Sequence, residues 1–301
     1  MSSKSAPVRI AQVLILLIAA VGGGSFSRSS HAQETKTDAR AKPQGTPKPQ
    51  EPPKEQPKRI DPNNLTAENI AEAVILIAGG GAGRTVLTQI RKNGLERGRE
   101  TRTGADGKAE EIRYELRFVH GDKIDKDKIR LDSKTPATED SLISSEGHLF
   151  GVINGVTYAP RATVAAEFLS RQAHSIDALL RYKENESKIT SAGKDKQQGV
   201  ELYVIDLVDK ADRKTRYFIS AHSFRVLSLE YEETVPGSTT PTKFTKRFYD
   251  YRIAQGTVMP FRTVLYEDGK LVAETHVLTV QYGLKMDDAL FNPETAASVN
   301  P

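Results

Sequence analysis

Residues 258–282 read VMPFRTVLYEDGKLVAETHVLTVQY. Two apolar-rich runs, Val258 to Tyr266 and Leu271 to Tyr282, flank Glu267-Asp268-Gly269-Lys270. An Asp-Gly pair between such runs accepts the positive φ of a two-residue hairpin loop, so the stretch predicts two antiparallel strands and the turn that joins them. The same reading extends towards the N-terminus. Val200, Leu202 and Val204 alternate with Glu201 and Tyr203, Tyr217 to Ile219 and Val226 to Tyr231 follow a polar turn, and Phe244 to Ile253 adds another run. A two-residue period with one apolar side is the pattern of a strand with one buried face. The interval Val200 to Phe291 therefore predicts an antiparallel meander.

A second block of strands lies upstream. Ile112, Tyr114, Leu116 and Phe118 alternate with Arg113, Glu115 and Arg117, which predicts one face buried or lining a cavity and the other in water. Ile129 with Leu131, Leu142 with Ile143, and Leu149 to Val156 predict three shorter strands, with Asn154-Gly155 as a tight turn. Val86, Thr88 and Ile90 also alternate, predicting a strand from Arg84. A charged segment, Glu96 to Arg102, then leads into a loop around Gly104 and Gly107.

Helical spacing occurs twice. Thr66 suits an N-cap, and Ile70, Ala71, Val74, Ile75 and Ala78 form a stripe that predicts a helix over 67–78, ended by Gly79-Gly80-Gly81. Behind Pro160, the apolar residues Val164, Phe168, Leu169, Ile176, Leu179 and Leu180 predict one long amphipathic helix over 161–182. Set between two blocks of strands, it must bury its stripe on the sheet, as a plain core helix or as a lid over a ligand cavity.

The termini read differently. Lys4 and Arg9 precede an apolar run, Ile10 to Val21, and Ser30-His31-Ala32 places small residues at a cleavage position, so residues 1–32 predict a signal peptide cut after Ala32. Residues 33–60 are rich in Pro, Lys, Glu and Gln with almost no large apolar side chains, and predict a disordered tether. One folded domain is expected over 61–301. Cysteine is absent, so neither a disulfide nor a lipidated cysteine follows the leader, and the mature chain is expected to be soluble and exported, without a stable membrane span. The formal charge of +4 comes from 43 basic and 39 acidic residues; losing Lys4, Arg9 and Arg28 with the leader, which holds no acid, lowers it to +1. Near-neutral charge with both signs interspersed speaks against nucleic acid.

Searching for chemistry returns little. Gly79 to Gly83 leaves one residue too few for a P-loop, Arg84 stands where its lysine belongs, and no strand precedes a dinucleotide fingerprint. His120, His148, His174, His222 and His276 are widely separated and lack zinc-site spacing. There is no thiol nucleophile and no Gly-x-Ser-x-Gly elbow, and Asp287-Asp288 reads as a terminal turn rather than a catalytic pair. No catalytic, cofactor or metal-binding residue is assigned.

Five segments together carry a resemblance. They are Phe248-Tyr249-Asp250-Tyr251-Arg252, Val258-Met259-Pro260-Phe261-Arg262, Glu267-Asp268-Gly269-Lys270, Val277 to Tyr282, and Asp287-Asp288-Ala289-Leu290-Phe291-Asn292-Pro293. The chain resembles a divergent member of the outer-membrane lipoprotein-sorting, LolA-like family, over the last 100 or so residues and in outline from Glu110 to Leu180. The resemblance implies an α+β, mainly β fold: a curved antiparallel sheet, or incomplete β-barrel, with helices closing its concave side. It also implies a periplasmic, non-enzymatic carrier or sensor that shelters an acyl chain or lipoprotein in an apolar cavity. An alternative is an interaction or stress-regulatory module of the same fold that holds an envelope protein. The candidate cavity lining is Tyr114, Leu116 and Phe118 from the sheet with Phe168, Leu169 and Ile176 from the helix; ordinary core packing is the other reading of these six.

Overall fold

The computed structural model describes residues 65–104 and 107–295. The signal peptide expected over 1–32 and the tether expected over 33–60 lie outside the described residues. Two helices open the fold, α1 (Ala67–Ala78) and α2 (Arg84–Ile90). Then come β1 (Asn93–Thr103), β2 (Ala109–Val119), β3 (Lys128–Lys134), β4 (Glu139–Ser145), β5 (His148–Ile153) and β6 (Val156–Tyr158). Helices α3 (Ala162–Ala173) and α4 (Ile176–Leu180) interrupt the strands. The chain continues with β7 (Lys188–Gln197), β8 (Val200–Val208), β9 (Lys214–Ser220), β10 (Val226–Glu233), β11 (Thr242–Ala254), β12 (Thr257–Glu267) and β13 (Lys270–Tyr282).

All strands belong to one 13-stranded antiparallel sheet ordered β6-β5-β4-β3-β2-β1-β13-β12-β11-β10-β9-β8-β7, curved but not closed into a barrel. Two meanders are thus joined through the central pair β1 and β13, whose register runs from Gly94 opposite Tyr282 to Arg102 opposite Ala273. The expected hairpin turn is present: Asp268 and Gly269 both have positive φ, 47° and 78°. On β11 Asp250, with φ 53°, is skipped in the pairing with β12, and the register is the same on either side of it. Phe248 and Tyr251, three residues apart, both reach the core cluster of α1, α4 and β8–β10.

Because β6 and β7 are opposite edges, the α3–α4 connection has to cross the whole sheet. It fills the two flanks of that face unequally. On one flank α1 and α4 pack Ile70, Ile75 and Leu179 against Ile205, Tyr217, Ile219 and Leu229 of β8–β10. On the other, Phe168 of α3 packs with Leu116, Phe118, Ile129 and Leu142 of β2–β4.

Helix α1 forms where the spacing predicts it, capped by Thr66, whose side chain accepts from Asn69 N while Asn69 reciprocates. Two local expectations are corrected and a third is refined. Residues 84–90 are a helix, not a strand: Leu87 is buried against α1 while Arg84 reaches Glu72 and Glu184, and these tertiary contacts override the alternation of β-branched residues. The charged run Glu96 to Arg102 leads into the loop at Gly104 and Gly107 as expected, but as the body of strand β1. The single helix over 161–182 is two, because Ser175 caps α4 by accepting from Ala178 N at 3.1 Å, and its carbonyl takes the Tyr217 hydroxyl at 2.8 Å.

The far face of β2 also differs from expectation. Arg117 is buried rather than in water, beside buried Arg130. Both donate to Asp132, at 2.5 and 2.8 Å, and Ser141 adds a third donor at 2.5 Å. Over this network and over Ile143 and Val152 lies a 3-10 turn, Asp288–Phe291, that buries Leu290 and Phe291. Asp287 caps it, accepting from Ala289 N at 3.0 Å, which is the structural role expected for the Asp287-Asp288 pair.

Candidate functional site

Between the two packed flanks the sheet keeps a hollow of about 940 Å³. Side-chain size on the central strands accounts for it. The face of β1 beneath the helices carries Gly94, Glu96, Gly98, Glu100 and Arg102, and β13 presents Ala273, Thr275 and Val277 opposite. The glycines, Ala273, Thr275 and Val277 are too small to fill the space under the helices, and Glu100 and Arg102 meet α3 through ion pairs rather than apolar packing. The apolar wall is completed by Val74 and Ala78 of α1, Phe248 and Tyr251 of β11, and Met259 of β12.

The six residues singled out in the sequence are distributed over this architecture. Leu169 and Ile176 line the hollow, Leu169 with 44% of its surface exposed. Leu116, Phe118 and Phe168 pack together on the flank. Tyr114 faces Gly98 across the β1–β2 ladder, and a Cβ on that glycine would lie 2.4 Å from the Tyr114 hydroxyl. The phenol therefore lies over β1, where its hydroxyl donates to Glu96 at 2.8 Å.

Polar groups enter the hollow in three clusters. At one end Arg171 of α3 grips buried Glu100 with both terminal nitrogens at 3.1 Å, Thr275 donates to the same carboxylate at 3.0 Å, and Arg102 bonds Glu100 and Glu167. This set clamps α3 to the central strands.

At the helix break His174 is buried, its ring stacked on Tyr231 with centroids 3.8 Å apart. Burial holds its imidazole below the ordinary histidine range, against the opposing pull of Glu233. A neutral ring donates from Nε2 to Glu233 at 2.9 Å and accepts at Nδ1 from the Thr215 hydroxyl at 2.6 Å. Lys246 of β11 reaches the same place: its Nζ donates to the His174 carbonyl at 2.7 Å and lies 5.4 Å from the Tyr231 ring centroid. Burial pushes this ammonium down to about 8.

The third cluster is Arg91, Asp177 and Glu96. Arg91 pairs with Asp177 at 2.8 Å, which ties the start of β1 to α4, and its buried Nε has no hydrogen-bond partner. Burial raises the Glu96 carboxyl above its ordinary range despite the Tyr114 hydrogen bond and the nearby Arg91 charge. Burial also works against the Asp177 carboxylate, but Arg91, with His120 and Arg181 beyond it, holds it below the ordinary range.

Glu96, Glu100, His174, Asp177 and Lys246 were not singled out in the sequence. A signal existed for the two glutamates, since Glu96, Gly98, Glu100 and Arg102 repeat with period two. No spacing rule links Lys246 to His174, 72 positions away. Among the described residues no group of three His, Cys, Asp or Glu side chains is arranged to hold a metal ion. No helix of the described residues is long and apolar enough to cross a membrane.

No protein-family model matches the chain, and no curated protein matches it by sequence. Solved structures do. A LolA superfamily protein from Nitrosomonas europaea superposes with a TM-score of 0.53 at 13% identity, over 77% of this chain and 99% of its own. The fold is LolA-like. A domain assigned to outer membrane lipoprotein sorting in Vibrio parahaemolyticus gives 0.50 at 13% identity, covering 77% of this chain and 99% of that one. A DUF1329 family protein from Desulfovibrio piger gives 0.52 at 11% identity, over 76% and 98%. The LolA-like fold accounts for the open sheet and its helical cover.

Proposed function

We propose that the chain is an exported, periplasmic, non-enzymatic carrier or sensor that takes an acyl chain into the hollow beneath α3 and α4. The observation that carries this reading is a partly apolar space of about 940 Å³, held open between two well-packed flanks. Drug-sized and lipid-sized ligands use cavities of roughly 300–1,000 Å³. Each methylene transferred there from water contributes about 0.8 kcal/mol. Likeness in fold to a domain assigned to outer membrane lipoprotein sorting supports the periplasmic setting, and the leader expected over residues 1–32 would give the route.

The test is titration of the purified chain with a fluorescent fatty-acid probe. Saturable binding is expected, weakened at least tenfold by Leu169→Asp, which places a charge on the apolar wall at an exposed position and leaves the fold intact. Failure to saturate at high micromolar probe, or binding indifferent to Leu169→Asp, overturns the reading.

A second reading, a module that holds an envelope protein, is favoured by one observation. Strand β7 is an open edge whose residues from Thr190 to Gln197 are all exposed. An edge of this length can accept a partner strand. Lys188, Lys194 and Lys196 on it are the charges that sheets commonly use to discourage such pairing, so the cavity reading stands first. Capture of one envelope protein that survives delipidation of the chain and is lost on replacing Ser191 by proline would reverse that order.

A further inference from the structure

Lys246 is buried at the wall of the hollow and makes no ion pair with a carboxylate among the described residues. It sits on β11 between Phe244 and Phe248, which share its face, and only 9% of its surface is exposed. Three carboxylates act on it, and each is taken by other donors. Glu233 accepts from His174, Glu100 from Arg171, Arg102 and Thr275, and Glu167 from Arg171 and Arg102. Its own contacts are the His174 carbonyl, at the C-terminal end of α3, and the face of Tyr231. An ammonium has three N–H donors, and one hydrogen bond leaves two to be satisfied in a site that largely excludes water. A buried cation in that condition is unfavourable until an anion reaches it.

We propose that Lys246 is the anchor for the anionic head group of a single-chain amphiphile, a long-chain carboxylic acid, whose tail lies along the apolar wall of the same hollow. This rests on the carrier reading above and narrows it to ligands that carry one negative charge next to the chain. Geometry sets the order of the parts. Side chains two residues apart on one face of a strand are about 7 Å apart. A carboxylate at Lys246 Nζ thus has Phe248 one step away and Tyr251 farther along the same strand, with Val74 and Ala78 of α1 also lining the space. Charge selects carboxylate over phosphate: one ammonium matches a single charge, whereas a dianion would also meet the repulsion of Glu233, Glu167 and Glu100.

The experiment compares dodecanoate, methyl dodecanoate and dodecyl phosphate as competitors of the fluorescent probe at pH 7, using the purified chain. Dodecanoate is expected to bind at least tenfold more tightly than its ester, about 1.4 kcal/mol. Lys246→Met should bring the two to equal affinity while ester binding stays as in the parent, which also shows that the variant is folded. Lys246→Arg should keep a preference for the acid. Equal affinity of acid and ester for the parent chain, or a preference that survives Lys246→Met, overturns the anchor and leaves the apolar cavity standing. Dodecyl phosphate binding tenfold more tightly than dodecanoate overturns the choice of carboxylate. If neither acid nor ester competes, the carrier reading fails and the anchor with it.

Discussion

Replacing Lys246 by methionine tests the burial of this charge without any ligand. In the folded chain its ammonium titrates near 8, against 10.5 for an ordinary lysine, because burial disfavours the charged form. Below pH 8 the folded and unfolded chains both carry the proton, and the full penalty of burying it is present. Between 8 and 10.5 the unfolded chain holds a proton that the folded chain has released, so stability rises with pH. The total rise is about 3 kcal/mol at roughly 1.36 kcal/mol per pH unit, and about 2 kcal/mol of it falls between pH 7.5 and 9.5. Methionine has a similar length, keeps the contact with Tyr231 and cannot titrate. It also leaves the His174 carbonyl without its donor, a loss that does not change over this range. The groups around the site are Glu233, Glu167, Glu100 and His174, and none needs to change charge between pH 7.5 and 9.5 for the argument to hold. The assay is urea unfolding of parent and variant at pH 7.5, 8.5 and 9.5, followed by circular dichroism. The parent should gain about 2 kcal/mol relative to the variant across the series. Parallel profiles would refute the reasoning, because they would mean that Lys246 is solvated as an ordinary surface lysine.

Three further outcomes follow from the geometry. Asp132→Ala removes the carboxylate shared by Arg117 and Arg130, 7% and 3% exposed, beneath the C-terminal turn. It should cost about 3–5 kcal/mol in urea unfolding, and a loss under about 1 kcal/mol would show the network to be dispensable. Gly80→Ala should cost between about 1 and 3 kcal/mol, read as a lower Tm: Gly80 has φ 61°, and a Cβ there would lie 2.2 Å from the Gly256 carbonyl oxygen. Glu96→Gln keeps an acceptor for the Tyr114 hydroxyl and removes a carboxyl that burial pushes above its ordinary range. Such a group is least costly when protonated, so its effect on stability worsens as pH rises through its folded value; the amide should raise Tm at pH 7 and leave it unchanged at pH 4.

The sheet was legible because its signals are local. Alternation in Ile112 to Phe118 and Val200 to Val204, and the positive φ accepted by Asp268-Gly269, act within a few residues. The helix over 67–78 was legible for the same reason, its cap and stripe being contiguous. What failed was set by distant partners. Val86, Thr88 and Ile90 look like a strand until Leu87 meets α1 and Arg84 meets Glu184, 100 positions away. Strand β7 went unread because Lys188–Gln197 has no apolar period: at an edge with almost every side chain exposed, backbone pairing with β8 alone holds it in place. The break at His174-Ser175 was readable in principle, since Ser175 followed by Asp177 and Ala178 is N-cap chemistry. The continuous stripe of Phe168, Leu169 and Ile176 masks it.

The hollow itself could not have been read from apolar pattern, because pattern marks where side chains fill space. The strongest alternation, Ile112 to Phe118, contributes Leu116 and Phe118 to a packed flank. The space opens instead over β1, the strand whose helix-facing side is glycine and charge, and the sequence there resembles a loop for that reason. A curved sheet needs such a strand at its centre if it is to enclose anything: large apolar residues on β1 and β13 would fill the hollow and give a solid two-layer domain. Glu100 serves the opposite end. By fixing Arg171 it ties α3 to the central strands through an ion pair rather than through apolar packing, while Lys246 meets the carbonyl of His174 at the end of the same helix.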